Sequence, residues 1–116
     1  FLPGPVTVVV EKRSIVPDVL TAGGDRVGIR VPDHDLALSL LAAVEPITAT
    51  SANVSGRPSV TDPDALDPEI QAAAAVILDG GQTGGTGSTV VDVARGEIHR
   101  DGPLVADIEA WLQEHP

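Results

Sequence analysis

The sequence predicts an α/β fold of the α+β type: a twisted, mixed β-sheet with helices packed on it. Three observations predict it. The apolar residues are nearly all Val, Leu, Ile and Ala, with one Phe and one Trp, which suits β-branched strands covered by Ala- and Leu-rich helices. Strand-like runs such as VTVVVE alternate with helix-like runs such as DLALSLLAAV. Near the C-terminus two strand-like runs are separated by Ala94, Arg95 and Gly96 alone, too short for a crossover, so a hairpin interrupts the strand–helix–strand alternation.

The elements follow in order. Pro3, Gly4 and Pro5 make a turn, and residues 6–11 are a central strand because nearly every residue is a β-former. Pro17, Gly23 and Gly24 punctuate a loop or hairpin region, and VGIRV at 27–31 is a second strand ended by Pro32. Asp33 is placed to cap a helix over about 34–44, with Leu36, Leu40 and Leu41 on one face, stopped by Pro46. Residues 47–50 are expected as a short strand, followed by a polar turn and a loop in which Asp62 or Asp64 caps a short turn. Pro68 and Glu69 open an alanine-rich helix to Ala74, and residues 76–78 are expected as a further strand ending at Asp79. Five glycines in residues 80–87 force a loop. Strands over 89–93 and 97–100 then form the hairpin, and a last helix over 104–114 buries Ile108, Trp111 and Leu112.

The chain has 116 residues, enough for one domain with a modest core, and 42% of them are hydrophobic, more than a disordered chain carries. Its formal charge is −10, from 17 acids against 7 bases, and Lys12 is the one lysine. Such a surface repels nucleic acid at long range, which argues against DNA binding while leaving open an RNA that meets a local basic patch. Dense carboxylates also suit a halophilic protein, although an ordinary acidic protein has the same composition. The lack of cysteine excludes a disulfide-stapled fold, thiol catalysis and Cys-ligated zinc. No apolar run has the length of a membrane span and no signal peptide is visible, so a cytoplasmic location is the default expectation. His34, His99 and His115 show no metal-ligand spacing.

Three features are candidate sites. In TATSANVSG, Thr48, Thr50, Ser51, Asn53 and Ser55 place hydroxyls and an amide just after an expected strand, where α/β folds collect ligands. Taken bare, the same residues better suit a turn that satisfies its own backbone. The GGQTGGTGST loop exposes backbone N–H groups that can cradle an anion, with Ser88 and Thr89 at the start of the next strand; a plain surface loop reads the same way. It is not a P-loop, which needs a Lys, nor a dinucleotide fingerprint, since a strand and not a helix follows. Arg30 and Arg100 are the third feature. Arg30 alternates with Ile29 and Val31, and an Arg fork suits a carboxylate or phosphate as well as a surface acid.

Together these segments resemble the YrdC/Sua5 family of threonylcarbamoyl-AMP synthases. PGPVTVVV is similar to that family's PGPxT strand and VGIRVPDH to its GxRxPxH segment; ITATSANVSGRPS, ILDGG, STVVD and IHR follow in the family's order and spacing. The resemblance implies a YrdC-like domain that makes L-threonylcarbamoyladenylate and pyrophosphate from ATP, L-threonine and bicarbonate, with Mg²⁺ accompanying the nucleotide. It implies a cytoplasmic nucleotidyltransferase whose product a threonylcarbamoyl-transfer complex uses to modify adenosine 37 of tRNA. By motif, Arg30, Ser51 and Ser88 are expected to bind threonine. Asn53, Thr61 and Arg100 are expected to bind ATP, with Arg100 on phosphate, and Thr7 and Thr50 to border the pocket. No protein nucleophile and no protein metal ligand is expected; Arg30, Ser51, Ser88 and Arg100 would act by positioning and charge.

The resemblance also carries departures. The family's KxR-type basic motif and first strands precede the PGPxT strand, and Lys12 and Arg13, which follow it, do not replace them. The 116 residues are therefore expected to be a partial domain, of low stability or self-associating, and inactive alone. Asp101 and Gly102 stand after Arg100 where the family more often has proline. Related readings are a carbamoyl-adenylate-handling domain of a carbamoyltransferase and a non-catalytic double-stranded-RNA-binding or ribosome-associated translation factor.

Overall fold

The computed structural model describes residues 1–44, 46–54 and 56–116. They divide into two units, Phe1–Ile47 with Gly87–Pro116, and Thr48–Thr86. Four strands, β1 (Val6–Glu11), β2 (Arg26–Ile29), β3 (Thr89–Asp92) and β4 (Glu97–Arg100), all belong to the first unit. Of the three helices among the described residues, α1 (Asp35–Val44) and α3 (Val105–Glu114) lie in the first unit and α2 (Pro68–Ala73) in the second. Among the described residues no helix is long and apolar enough to cross a membrane.

In the first unit the strands form one mixed sheet in the order β2-β1-β3-β4. β1 is central, as its unbroken β-forming sequence predicts. It runs antiparallel to β2, from Val8↔Ile29 to Glu11↔Arg26, and parallel to β3, from Val6↔Thr89 to Val9↔Asp92. β3 and β4 form the expected antiparallel hairpin, with an irregularity between Val90 and Val91. The two-residue alternation of strands sorts the side chains onto two faces. Val6, Val8 and Val91 share one face, and Val6, Val91 and Ile108 of α3 form the buried core, with Val8, Ile98 and Leu112 packed against it. Thr7, Val9, Gly28, Val90 and Asp92 share the other.

A buried ion pair crosses that second face. The Asp92 side chain is fully buried and accepts a hydrogen bond from Arg26 Nη2, two strands away, and from the Arg95 backbone N–H at 3.1 Å. The Arg95 guanidinium stands 3.9 Å from the other carboxylate oxygen. Burial pushes the Asp92 pKa up, but the Arg95 N–H and the Arg26 and Arg95 charges outweigh it and hold the carboxyl below its usual value. In the β1–β2 connection, Lys12 Nζ donates to the Val16 carbonyl at 3.1 Å and to Asp18, which opens a 3₁₀ turn, Asp18–Thr21. The Lys12 hydrogen bond and charge lower the Asp18 pKa as well.

The second unit holds a 3₁₀ turn, Pro63–Ala65, and α2. Asp62 caps the turn by accepting from the Asp64 N–H at 2.9 Å. Asp67 caps α2 by accepting from the Glu69 N–H at 3.1 Å.

Four expectations are corrected. Residues 47–50 and 76–78 are not strands: Ile47, Val76, Ile77 and Leu78 are exposed, and β-forming side chains make a strand only where a neighbouring strand takes up their backbone groups. β2 stops at Ile29, so Arg30 lies just past the strand. The cap position of α1 belongs to His34 and not to Asp33, since the His34 carbonyl accepts the first helical N–H, from Leu38 at 2.9 Å, and its Nδ1 accepts from the Ala37 N–H at 3.4 Å. Trp111 is not core: it is 37% exposed and stacks on His115 one turn later, ring centroids 4.3 Å apart.

Ile108 is the largest fully buried side chain, so replacing it by Ala is expected to lower the free energy of unfolding by about 2–5 kcal/mol in urea titrations. A depressed folded-state pKa at Asp92 favours the ionised form in the native state, so its contribution is complete above the unfolded carboxylate pKa and fades as pH falls through the folded one. The unfolding temperature is therefore expected to fall below about pH 4, the usual carboxylate range. Asp92→Asn should lower it at neutral pH and flatten that acid dependence.

Candidate functional site

Thr7, Ser88 and Arg100 meet on the sheet face opposite the core. Thr7 comes from central β1, Ser88 stands one residue before β3, and Arg100 ends β4, paired with Val90. The Thr7 and Ser88 hydroxyls are 2.6 Å apart, and either can donate. Arg100 grips Ser88 through both backbone and side chain. Its Nε and Nη2 donate to the Ser88 carbonyl at 2.9 and 2.7 Å, and Nη2 also donates to Ser88 Oγ at 3.1 Å. The guanidinium lies against the backbone of Gly87, where an added Cβ would come within 3.2 Å of Nη2. Ser88 is thus 5% exposed and held in one place, while Nη1 of Arg100 makes none of these hydrogen bonds to Ser88.

Arg30 follows β2 two residues after Gly28. Its Nε donates to the Gly4 carbonyl at 3.2 Å, and the Gly4 N–H donates to the Val31 carbonyl at 2.8 Å, which ties the PGP turn to the end of β2. The terminal fork of Arg30 lies outside this hydrogen bond, on an exposed residue. A planar fork left open in this way suits a carboxylate. Gly102 backs onto the start of β3, where an added Cβ would lie 3.0 Å from the Thr89 N and Oγ1. That close approach gives a local reason for glycine two residues after Arg100.

Thr50, Ser51, Asn53 and Thr61 belong to the other unit. Thr50 and Ser51 are exposed, and Ser55 lies outside the described residues. The Asn53 amide donates to the Val54 and Arg57 carbonyls at 3.3 and 3.0 Å, so in this structure it closes its own turn. Thr61 anchors the glycine-rich loop: its carbonyl accepts the Thr83 N–H at 2.7 Å, and its methyl occupies the space where a Cβ on Gly85 would fall, 2.5 Å away. Gly85 has φ +71°, a left-handed conformation that disfavours other residues, and Asp79 pins the start of the loop by accepting the Gly81 N–H at 2.9 Å. Among the described residues no group of three or more His, Asp or Glu side chains gathers to hold a metal ion.

The structure therefore brings Thr7, Ser88 and Arg100 together in one unit and leaves Arg30 open in the same unit. Sequence reasoning missed the Asp92–Arg26 pair and the roles of Gly28 and Gly85. An acid at the end of the apolar run TVVD and a glycine inside the strand VGIRV were the available signals.

A mixed four-stranded sheet with helices α1 and α3 in the same unit places the chain in the α/β class, with a hydroxyl pair and arginines at the ends of its strands. The family model for Sua5, YciO and YrdC, described as telomere recombination, matches residues 1–102, and the chain belongs to this family. It is 44% identical over 95 residues to the threonylcarbamoyl-AMP synthase of Pyrococcus abyssi, covering 80% of this chain and 28% of the relative. To the enzyme of that name from Bacillus subtilis it is 43% identical over 100 residues, covering 81% and 28%. To that from Shigella boydii serotype 4 it is 39% identical over 103 residues, covering 86% and 53%. The chain thus spans between 28% and 53% of the length of these relatives. Among solved structures, a doubly substituted P. abyssi Sua5 superposes with a TM-score of 0.85 at 41% identity, covering 95% of this chain and 35% of that one. P. abyssi Sua5 complexed with L-threonine superposes with a TM-score of 0.82 at 40% identity, covering 95% and 34%.

Substituting Gly85 by Ala sets a Cβ against the Thr61 methyl in a left-handed conformation. It is expected to loosen the loop by about 1 kcal/mol or more, read as roughly five-fold faster amide exchange at Thr83, whose N–H is bonded to Thr61.

Proposed function

We propose that the chain works in L-threonylcarbamoyladenylate synthesis, in which ATP, L-threonine and bicarbonate give threonylcarbamoyl-AMP and pyrophosphate. The observation that carries this reading is the open Arg30 fork in the same unit as the Arg100-held Thr7–Ser88 hydroxyl pair, in a chain 40% identical to a Sua5 complexed with L-threonine. Arg30 takes the threonine carboxylate through its fork, and Ser88 faces the carbamate formed on the threonine amine; in the other unit, Ser51 is the threonine-side residue that the motif names. Asn53 and Thr61 serve the nucleotide, the first by exchanging a turn carbonyl for a ligand acceptor. Arg100 offers Nη1 to a phosphate while Nε and Nη2 keep Ser88 in place.

The carbamate oxygen attacks the α-phosphorus and pyrophosphate leaves with the bonding pair. The side chains contribute orientation and positive charge near the developing negative charge, not a covalent nucleophile. Magnesium belongs to this reading as a companion of the phosphates, coordinated by their oxygens and water. A cytoplasmic place of action, and use of the product by a transfer complex acting on tRNA adenosine 37, belong to the same reading. The charge of −10 gives an RNA-binding reading no comparable support.

The test is ligand-observed NMR with L-threonine. The chain is expected to bind it, and Arg30→Lys, which keeps the charge but not the planar fork, to weaken binding about ten-fold. A chain that takes carbamoyl phosphate and not L-threonine would overturn the reading in favour of a carbamoyl-handling relative, and one that binds neither would overturn it outright.

A further inference from the structure

We infer that Thr7 is a positioning residue that aims the Ser88 hydroxyl proton at an anionic ligand, and that Gly28 keys Thr7 into the rotamer that does so. This rests on the reading of Ser88 as a threonine-side contact. Arg100 can only donate, so its Nη2 uses one lone pair of Ser88 Oγ, at 3.1 Å. The Thr7 hydroxyl, at 2.6 Å, has two ways to complete the group. If Ser88 donates to Thr7, its single proton is consumed and Ser88 has nothing to give a ligand. If Thr7 donates to Ser88, both lone pairs of Ser88 Oγ are occupied and its proton is released outward. An anion arriving there selects the second arrangement, and the chain Thr7→Ser88→anion is strengthened because each donor is polarised by the next.

Thr7 can play this part only with its hydroxyl turned toward β3. Its three substituents leave one staggered rotamer for a given pair of neighbours. On the β2 side its methyl fills the space in front of Gly28, where an added Cβ would be 2.9 Å from Thr7 Cγ2. Gly28 stands between Val27 and Ile29 in β2, where the neighbouring strand needs room for that methyl. The Gly28 pocket and the Ser88 hydroxyl thus fix opposite ends of the Thr7 side chain.

The experiment is titration of L-threonine into the 116-residue chain and four variants, each checked by circular dichroism and unfolding midpoint. Thr7→Val keeps the shape and removes the donor, and is expected to weaken binding about five-fold, the size of one neutral hydrogen bond. Thr7→Ser keeps the donor and should bind within about two-fold of the parent. Gly28→Ala should weaken binding as Thr7→Val does, by turning the Thr7 methyl. Adding Thr7→Ser to Gly28→Ala should restore it, because serine has no methyl to clash. That rescue would not follow from a merely structural role for Gly28. Parent-like binding by Thr7→Val, or failure of Thr7→Ser to rescue Gly28→Ala, overturns the inference while leaving the proposed function standing. A parent chain that binds no L-threonine overturns the function, and the inference with it. Should Thr7→Val fail to fold, the Gly28→Ala and rescue pair decides alone.

Discussion

Val6 pairs with Thr89 and Val9 with Asp92 in parallel register, although the two segments lie at far ends of the sequence. Closing so long a span is entropically unfavourable, but the cost grows only with the logarithm of its length, so a few well-placed contacts suffice. Here they sit on both faces of the pairing. On one face Val6 and Val91 meet Ile108. On the other the Arg26–Asp92 pair reaches from β2 across β1 to β3. Without this pairing PGPVT and STVVD would be unrelated pieces of chain. With it, Thr7 and Ser88 come within hydrogen-bond distance.

The two faces have different chemistry for a physical reason. Among the described residues the core is small, three buried apolar residues with three more packed against them, and it uses one side of the sheet. The other side can carry polar groups because each of the buried ones is bonded: Asp92 to Arg26 and Arg95, Ser88 to Thr7 and Arg100. The arrangement is not fully closed. Arg26 Nε and one Asp92 oxygen have no hydrogen-bond partner among the described residues, with the Arg95 guanidinium nearby. A buried ion pair of this kind adds little net stability, but losing one partner is costly. Its geometry is plain: it ties β2 to β3 across β1, the strand that carries Thr7.

Much of this was legible in the sequence, and the failures have a common cause. VTVVVE, TVVD and EIHR announced strands, the short Ala94–Gly96 link announced their hairpin, and the helix over 104–114 was placed to within a residue. What misled was composition without a partner. Residues 47–50 and 76–78 look like strands because they are rich in β-forming side chains, yet a strand is a property of two segments. Trp111 looked like core because it is large and apolar, yet its ring stacks on His115 at a helix end. For the site, the motifs named Arg30, Ser88 and Arg100, but no spacing rule states that Arg100 spends two of its nitrogens on Ser88. That depends on a strand register with an irregularity at Val90/Val91, which the sequence does not display.

The glycines show where sequence and geometry meet. In a bare sequence they mark flexibility, and the run at 80–87 reads as a loose loop. In the fold several of them mark places where something else must fit. Gly87 makes room for the Arg100 guanidinium, Gly28 for the Thr7 methyl, Gly85 for the Thr61 methyl and Gly102 for the edge of Thr89. Three of these four neighbours belong to residues that the motifs had already singled out, Arg100, Thr7 and Thr61. A missing Cβ lets a side chain from another segment come within van der Waals contact of the backbone, and the neighbour is then confined by that backbone. These glycines therefore restrict the polar groups beside them, and a candidate site built from hydroxyls and arginines needs that restriction more than it needs loop mobility.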